Sequence, residues 1–427
     1  MMRGKYHLLI VISLLLLCVG CSKVAESPSS YPTTSGVRFY GDHYGDFLDN
    51  IEGTQDGGIV FGGSTYSYPG KGGKGFIQKT DAKGNILWYK IYGGSGVDNF
   101  SNVHTTSDGG FIAAGSTSSF GNGSATERND LFPDAYLVKT DGNGNLLWQK
   151  TFGGIYRDAF LDVSETPDHG FIAIGRYETS TYDCIYAVKT DQDGNELWIR
   201  YYYAASTFFW SQGAGVTTGP NGDVGIVGVI VKSNFAYDLN TFYPTFISLS
   251  PIGTSLNLQT VSNSYPEYKN CVLIPFTNYG YNYERIISRA DGYIIASNVV
   301  DSGQNSIILY KVDFKGDVSW SHQYSGISGA QINDMSNNTD GGVLISGGET
   351  DASGLNYTWL LNTDANGNKI WENSIPITGF NAFAVGAVAM GSSFAIGVNM
   401  ISNDENHTAM FGLLHVDQNG KIVESNK

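Results

Sequence analysis

The chain has 427 residues, of which 55 are glycine and only 15% are charged. Aromatic residues reach 13%, so the chain is too apolar to be disordered, and its glycines lack the three-residue period of collagen. Runs of Ala, Glu, Lys and Leu are too scarce for a coiled coil. The net charge of −15 disfavours binding to nucleic acid and adsorption to anionic lipid.

The N-terminus has the layout of an export signal. Arg3 and Lys5 precede an apolar run, Leu8–Leu17, which is too short to span a bilayer as a mature helix. The next residues, CVGC at 18–21, resemble the lipobox of bacterial lipoproteins. That resemblance implies that Cys21 receives a lipid and becomes the mature N-terminus.

We therefore predict three regions: a signal peptide at 1–20, a lipidated Cys21 with a Ser/Pro/Thr-rich tether at 21–36, and a folded domain at 37–427. The lipid would hold the protein on a membrane of the bacterial cell envelope, with the outer membrane as the predicted address. Periplasmic and cell-surface orientations both remain open. The alternative is simple secretion after cleavage at Gly20.

Two cysteines remain in the mature chain, Cys184 and Cys271. An oxidising compartment would permit a disulfide between them. Sequence spacing alone leaves a disulfide and a free buried thiol as equal alternatives.

The rest of the chain is organised by a repeat. An apolar strand, a Thr-Asp pair, a glycine turn and a second strand with Trp recur, as in FIQKTDAKGNILW from Phe76 and YLVKTDGNGNLLW from Tyr136. Seven copies can be aligned on the first turn residue, which is Asp81, Asp141, Asp191, Ser250, Asp313, Asp364 and Asp417. A second marker precedes each copy, as in DGGFIAAGST from Asp108.

Each unit therefore contains four strands separated by turns, with apolar alternation of period two. Repeated four-stranded units of this length are typical of a β-propeller. We predict an all-β fold: a seven-bladed β-propeller with four-stranded antiparallel blades, spanning residues 37–427.

The first strand of the domain has no blade of its own. VRFYG at 37–41 is similar to YKIYG at 89–93, which ends the Trp-containing strand of the first unit. We expect this N-terminal segment to pair with Lys421–Glu424 and close the last blade.

Two recurring features have a structural interpretation. Aspartate and glycine in DGNGN at 141–145 suit a tight hairpin turn. The alternative is a Ca²⁺ loop, for which DQDGN at 191–195 offers alternating oxygen ligands, but Tyr202 stands at the twelfth position, where an acidic residue is needed. The shared register of five tryptophans favours packing between blades over ligand stacking. These are Trp88, Trp148, Trp198, Trp320 and Trp371.

The order strand, Asp, turn, Gly, Trp resembles the tryptophan-docking repeat of quinoprotein-like propellers. Quinone-dependent enzymes of that kind have a vicinal cysteine pair, which the mature chain lacks. The chain is more similar to secreted bacterial lipoproteins with DGG…KTD..GN..W repeats, whose activities are mostly unassigned. The resemblance implies a fold, and it does not by itself transmit an activity.

Three aspartates share one register in the first three units. Asp46, Asp98 and Asp158 each stand ten residues before the DGG-type aspartate. The loop that they occupy opens on one face of a propeller channel, where three carboxylates could bind a cation or perform acid–base chemistry. The alternative is three copies of a loop-capping residue.

Departures from the repeat indicate a recognition surface, because they usually fall in loops on one face. Five aromatic residues lie in such stretches and could bind a sugar ring or a protein; they are Tyr202, Phe209, Trp210, Tyr268 and Tyr281. The alternative is local packing in a longer blade.

The sequence favours a non-enzymatic binding or scaffolding module for a glycan or an envelope protein. The alternative is a carbohydrate-active enzyme that uses carboxylates at the channel mouth, and a third reading is a quinone-dependent oxidoreductase. We predict no cofactor and no metal site, with Ca²⁺ as the open alternative, because the seven histidines lack ligand spacing.

Overall fold

The fold is built entirely from β-strands in seven antiparallel sheets. The computed structural model describes residues 36–40, 45–66, 72–121, 133–180, 183–202, 208–234, 239–250, 255–257, 272–273, 284–301, 304–324, 330–403 and 409–423. Within these ranges, no helix has the length and apolarity needed to cross a membrane. Residues 1–35, which carry the predicted export signal and Cys21, lie outside the described part of the chain.

The first three blades each contain four consecutive strands. Blade 1 comprises β2 to β5, at Asp46–Gly53, Ile59–Thr65, Lys74–Thr80 and Ile86–Tyr92. Blade 2 comprises β6 to β9, at Asp98–Thr105, Phe111–Thr117, Asp134–Thr140 and Leu146–Phe152. Blade 3 comprises β10 to β13, at Asp158–Glu165, Phe171–Glu178, Asp183–Thr190 and Glu196–Tyr202.

Blade 4 differs because two short strands share its outer position, β17 and β18, which both pair with β16. Its strands β14 to β18 lie at Phe208–Thr218, Val224–Asn234, Leu239–Leu249, Ser255–Asn257 and Val272–Leu273. Blade 5 comprises β19 to β22, at Glu284–Arg289, Gly292–Asp301, Gln304–Val312 and Val318–Tyr324. Blade 6 comprises β23 to β26, at Gln331–Asn337, Val343–Thr350, Asn356–Thr363 and Lys369–Ile375.

Blade 7 is assembled from both ends of the chain. Three of its strands, β27 to β29, are Phe380–Met390, Ser393–Ser402 and Ala409–Asp417, and the fourth is β1, Val37–Tyr40. The seven-bladed propeller with four-stranded antiparallel blades is therefore confirmed.

The seven first strands contact one another in a closed circle and line the central channel. Because the strands of a blade alternate in direction, the connections divide between two faces of the ring. We call the face that carries the connections from first to second and from third to fourth strands the turn face. We call the opposite face the crossover face; it carries the second-to-third connections and the links between blades.

The hydrophobic core lies between neighbouring blades. One cluster joins Ile112 and Leu137 of blade 2 to Phe160 and Phe171 of blade 3. The tryptophans of the outer strands pack at the same interfaces, as predicted: a methyl group on Gly194 of blade 3 would come within 2.9 Å of the Trp148 ring of blade 2. The same indole donates a hydrogen bond to the Gln192 carbonyl at 3.0 Å.

The recurring Asp and Lys of the repeat form an ion pair inside each of the first three blades and blade 5. In blade 1 the buried Lys79 ammonium lies 2.9 Å and 3.0 Å from the two Asp56 carboxylate oxygens, and it donates a third hydrogen bond to the Thr80 carbonyl. The counterparts pair Lys139 with Asp108, Lys189 with Asp168 and Lys311 with Asp291. The DGG and KTD markers are thus two halves of one structural contact.

The closing strand corrects one expectation. β1 pairs with β29, with Val37 opposite Leu414 and Tyr40 opposite Phe411, and it does not pair with 421–423, the described part of the expected partner. Ile422 instead bridges to Val416 on the same edge. The two chain ends therefore follow each other along one outer strand and do not lie side by side.

Candidate functional site

Variation between the blades is concentrated on the crossover face. Its second-to-third connections range from 302–303 in blade 5 to 118–133 in blade 2. On the turn face, the third-to-fourth connections of blades 1 to 6 all have the same length, as at 81–85 and 141–145. The first-to-second connections, also on the turn face, vary only from the two residues 290–291 in blade 5 to the five residues 54–58 in blade 1. The larger differences in loop length between blades therefore lie on the crossover face.

The three aligned aspartates lie at the crossover-face ends of the inner strands, and all are buried. The Asp98 carboxylate accepts hydrogen bonds from the Gly94 amide at 2.9 Å and the Ser119 hydroxyl at 2.7 Å. The Asp158 carboxylate accepts from the Gly154 amide at 2.6 Å. Asp98 and Asp158 thus each cap the loop that leads into their own blade, and no hydrogen bond between these two is present in the described structure.

The surroundings of Asp98 and Asp158 nevertheless differ in charge. The Lys74 ammonium lies 3.2 Å from the Asp98 carboxylate. The residue at the corresponding position of the next blade is Asp134, and both Asp134 and Asp158 lie against Gly153. Burial, with a smaller contribution from the Asp134 charge, raises the pKa of Asp158 to about 7. Asp158 can therefore exchange a proton near neutral pH, although its side chain is enclosed.

The structure describes the side chain of one of the five predicted aromatic residues, Tyr202. Tyr202 ends β13 and packs against the core between blades 3 and 4. Phe209 and Trp210 lie in β14, which begins at the same face, but their side chains are outside the described structure. Tyr268 and Tyr281 lie outside the described residues altogether, as does Cys271, whereas the Cys184 thiol is buried.

A stack of three tyrosines stands beside Tyr202. The ring of Tyr201 is 44% exposed and lies nearly parallel to the buried Tyr186 ring, with centroids 5.4 Å apart. The Tyr177 ring meets the Tyr201 ring edge-on, with centroids 4.9 Å apart. A rigid, half-exposed ring of this kind offers an apolar surface for a sugar or a protein side chain. Tyr201 belongs to the same irregular stretch of sequence, but the adjacent Tyr202, which points to the other side of the strand, was selected instead.

The exposed aromatic residues of the described chain all lie toward the crossover face. They are Phe47, Tyr66 and Tyr201, with exposed fractions of 38%, 53% and 44%. Phe47 and Tyr66 also meet edge-on, at a centroid distance of 6.4 Å. The crossover face therefore combines the variable loops with the accessible rings.

An ionisable cluster near the turn-face end of the channel connects three blades. The His104 ring of blade 2 lies between two carboxylates: Nδ1 is 2.8 Å from Glu52 of blade 1, and Nε2 is 2.8 Å from Asp162 of blade 3. Glu52 also accepts from the Thr105 hydroxyl, and Asp162 from the Val216 amide of blade 4. Since both ring nitrogens are engaged, His104 acts as a clamp between blades and not as a free base.

Burial and neighbouring charges shift the pKa values of ionisable groups in and beside this cluster. Burial opposes the charged imidazole of His104, but the charges and hydrogen bonds of Glu52 and Asp162 outweigh it and raise the His104 pKa well above its ordinary value. Burial raises the pKa of Asp334 to about 6, against the opposing charges of Arg285 and His104.

One feature of the sequence could have indicated this cluster, namely the shared register of Glu52 and His104. Glu52 and His104 occupy the same register of adjacent inner strands, two residues after Asn50 and Asn102. An isolated histidine at a position that is not histidine in any other blade does not stand out as a ligand. Its partner Asp162 comes from the following blade and from the Asn102 position, so spacing along the chain does not reveal the contact.

The carboxylates of the turn aspartates accept hydrogen bonds from groups of their own turns. The Asp141 carboxylate accepts hydrogen bonds from the amides of Asn143 and Asn145, at 2.9 Å and 2.8 Å, and from the Asn145 side chain. This geometry matches the predicted hairpin function. Among the residues that the structure describes, no three His, Cys, Asp or Glu side chains form a group able to hold a metal ion.

No protein family model and no curated sequence matches this chain at a significant level. Solved structures of similar fold include Sqt1 from Chaetomium thermophilum, with 10% identity, a TM-score of 0.44 and coverage of 90% of this chain and 99% of that chain. Trypanosoma rangeli sialidase, solved with the inhibitor DANA, has 9% identity, a TM-score of 0.40 and coverage of 78% and 56%.

Drosophila Plexin A, solved in complex with Semaphorin 1b, is a third such structure. It has 8% identity and a TM-score of 0.41, with coverage of 87% of this chain and 88% of that chain. At these identities and scores, none of the three similarities bears on function.

Proposed function

We propose that this protein is a lipid-anchored β-propeller of the bacterial cell envelope that binds a glycan or a protein partner through its crossover face. The observation that carries the proposal is the location of every exposed aromatic residue of the described chain on the face with the variable loops. Loops held by a rigid scaffold are the usual place for recognition. The binding surface would include Tyr66 and Tyr201.

The anchor and the family relationship belong to the same proposal. The lipobox-like sequence around Cys21 supports attachment by a lipid at the outer membrane. The packing of Trp148 against a turn glycine of the next blade supports a relationship to tryptophan-docking, quinoprotein-like propellers. Mass measurement of the mature chain tests the anchor: a lipid adduct on the wild type, absent from Cys21→Ser, is the expected result.

Binding can be tested with thermal melts of the full chain against a panel of soluble polysaccharides. A ligand at 100 times its dissociation constant adds about 2.7 kcal/mol to stability, which a melt detects. We expect Tyr201→Ala and Tyr66→Ala to remove the shift. Leu147→Ala is the matched control, because Leu147 is also exposed but lies near the turn face.

The outcomes separate the partner classes. A shift that depends on the two tyrosines supports glycan binding. If no glycan gives a shift, a photo-crosslinker at position 66 should capture an envelope protein, whereas a crosslinker at 147 should not. Cleavage of the bound polysaccharide would favour the carbohydrate-active alternative. A shift that is equal in all variants, or no shift together with no position-specific crosslink, would overturn the proposal.

A further inference from the structure

The exposed aliphatic side chains have a distribution of their own. Of the large hydrophobic residues that are exposed in the described chain, eight occupy the first two positions of outer strands, immediately after the third-to-fourth connections or their counterpart at 417–421. We call this set the aliphatic belt; it consists of Leu87, Leu146, Leu147, Leu197, Val318, Ile370, Ile422 and Val423. The belt follows the rim of the turn face, and exposed charged residues lie beside it, since Lys369 and Lys421 directly precede Ile370 and Ile422.

The register of the strands explains why the belt is exposed. Leu87 directly precedes Trp88, and successive side chains of a strand point to opposite sides. The Trp88 ring packs against Gly144 of the next blade. Leu87 therefore points away from that interface, and Leu147 and Leu197 have the same relation to Trp148 and Trp198. Packing within the propeller does not require a large aliphatic side chain at these positions.

The N-terminal chain joins the propeller within this belt. Gly36, the first described residue, lies so close to Ile422 that a methyl group on it would overlap the Ile422 side chain. Its neighbour Val423 donates a backbone hydrogen bond to His415 at 2.9 Å, which holds both belt residues on the edge of β29. From Val37 to Tyr40, β1 runs from the middle of the blade toward the crossover face. The described chain therefore begins on the turn-face half of blade 7, beside Ile422.

We propose that the sector of the aliphatic belt around this point, formed by Leu87, Ile370, Ile422 and Val423, rests on the lipid surface to which Cys21 is attached. This inference rests on the proposed lipid anchor. A random-coil chain as long as 22–35 would have a root-mean-square end-to-end distance of about 20 Å, which would place the propeller close to its anchor. Stable membrane attachment commonly combines a lipid with a second signal, and uncharged aliphatic side chains would supply the second one.

The net charge of the chain determines which lipid headgroups favour the contact. The chain carries a net charge of −15, so anionic headgroups would repel it. The contact should therefore form on zwitterionic lipid and weaken as anionic lipid is added. In this orientation the crossover face, with Tyr66 and Tyr201, points away from the membrane and is open to a partner.

The test uses the full lipidated chain in phosphatidylcholine vesicles that contain nitroxide-bearing lipid. A fluorophore is attached to Val423→Cys or Leu87→Cys, and to Tyr66→Cys or Ile155→Cys on the crossover face as matched controls. The unsubstituted protein gives the background from Cys184 and Cys271. We expect at least twofold stronger quenching at positions 87 and 423 than at positions 66 and 155, and weaker quenching when anionic lipid is included.

Each result of this experiment supports or overturns the proposed lipid contact. Equal quenching at all four positions on a chain whose lipid is verified by mass overturns the belt contact but leaves the anchor standing. A chain without lipid overturns the anchor and the contact together. Quenching that is absent while two chains crosslink through Val423→Cys overturns the lipid contact in favour of self-association. Because all four positions are exposed, the substitutions should leave the melting temperature within a few degrees of the wild type.

Discussion

The Trp88 ring lies against Gly144 of the next blade so closely that a methyl group on the glycine would come within 2.8 Å of the indole. Gly144 also has a φ of +71°, a conformation that L-residues with a side chain adopt at a cost. One glycine thus satisfies both the turn and the packing of the neighbouring tryptophan. The same relation joins Trp148 to Gly194 and Trp320 to Gly367.

A pair of substitutions separates these two requirements. Gly109 has a φ of +78° with no atom near the position of an added methyl group, so Gly109→Ala should cost only the backbone term, about 1 kcal/mol. Gly144→Ala adds the overlap with Trp88 and should cost about 2–4 kcal/mol in total. Urea unfolding of both variants gives the comparison. Equal losses of stability would show that Trp88 accommodates the added methyl group without cost.

Asp98 and Asp158 occupy one register but should respond oppositely to loss of charge. Asp98→Asn leaves the largely buried Lys74 ammonium without its carboxylate, so we expect a loss of about 3 kcal/mol throughout the neutral range. Asp158 has Asp134 near it instead of a lysine, and its pKa is raised to about 7, chiefly by burial. The folded state therefore binds the Asp158 proton more tightly than the unfolded chain does.

The sign of the pH dependence follows from the tighter binding of the Asp158 proton in the folded state. The stabilisation from protonated Asp158 is complete below its ordinary pKa of 3.8 and is lost as the pH rises through about 7. Asp158→Asn cannot lose a proton, so its stability should improve relative to the wild type between about pH 5 and about pH 8. Urea unfolding at these two pH values checks the change. A difference between variant and wild type that does not depend on pH would contradict the assignment.

The repeat made the fold predictable, because each copy carries both turn markers and the alternation of a strand. The error at blade 7 came from assuming that two leftover segments must pair with each other. In the complete blades Thr140 pairs with Leu146, and Ala135 pairs with Phe152. Ile422 takes the first of these outer positions and Tyr40 the last, so a single strand is divided between the chain ends.

The candidate site was less predictable, for a physical reason. Asp98 and Asp158 were found because the repeat aligns them, yet alignment cannot tell a carboxylate that caps a loop from one that meets a ligand. Recognition features are departures from the repeat, and their arrangement depends on contacts between blades. The contact of His104 with Asp162 spans two blades, and a bulge between Phe160 and Asp162 shifts the register.

The His104 clamp makes the ring sensitive to loss of a proton. Its pKa is raised in the folded state, so the stabilisation is complete below the ordinary value of 6.5 and is lost as the pH rises through the folded value. A glutamine is neutral and cannot place a positive charge between the two carboxylates. We therefore expect His104→Gln to be about 2 kcal/mol less stable than the wild type near pH 6, the scale of hydrogen bonds to charged groups.

This difference should shrink as the pH rises, because the wild type loses its imidazolium and the variant has none to lose. Urea unfolding from about pH 6 to about pH 9 measures it, and buried carboxyls such as Asp334 titrate in both proteins. His169→Gln is the matched control: its ring is 69% exposed and 3.4 Å from Glu165, so its effect should stay below about 0.5 kcal/mol. If the deficit of His104→Gln were constant across this range, the stabilisation by His104 would not depend on its positive charge, and the assignment would be wrong.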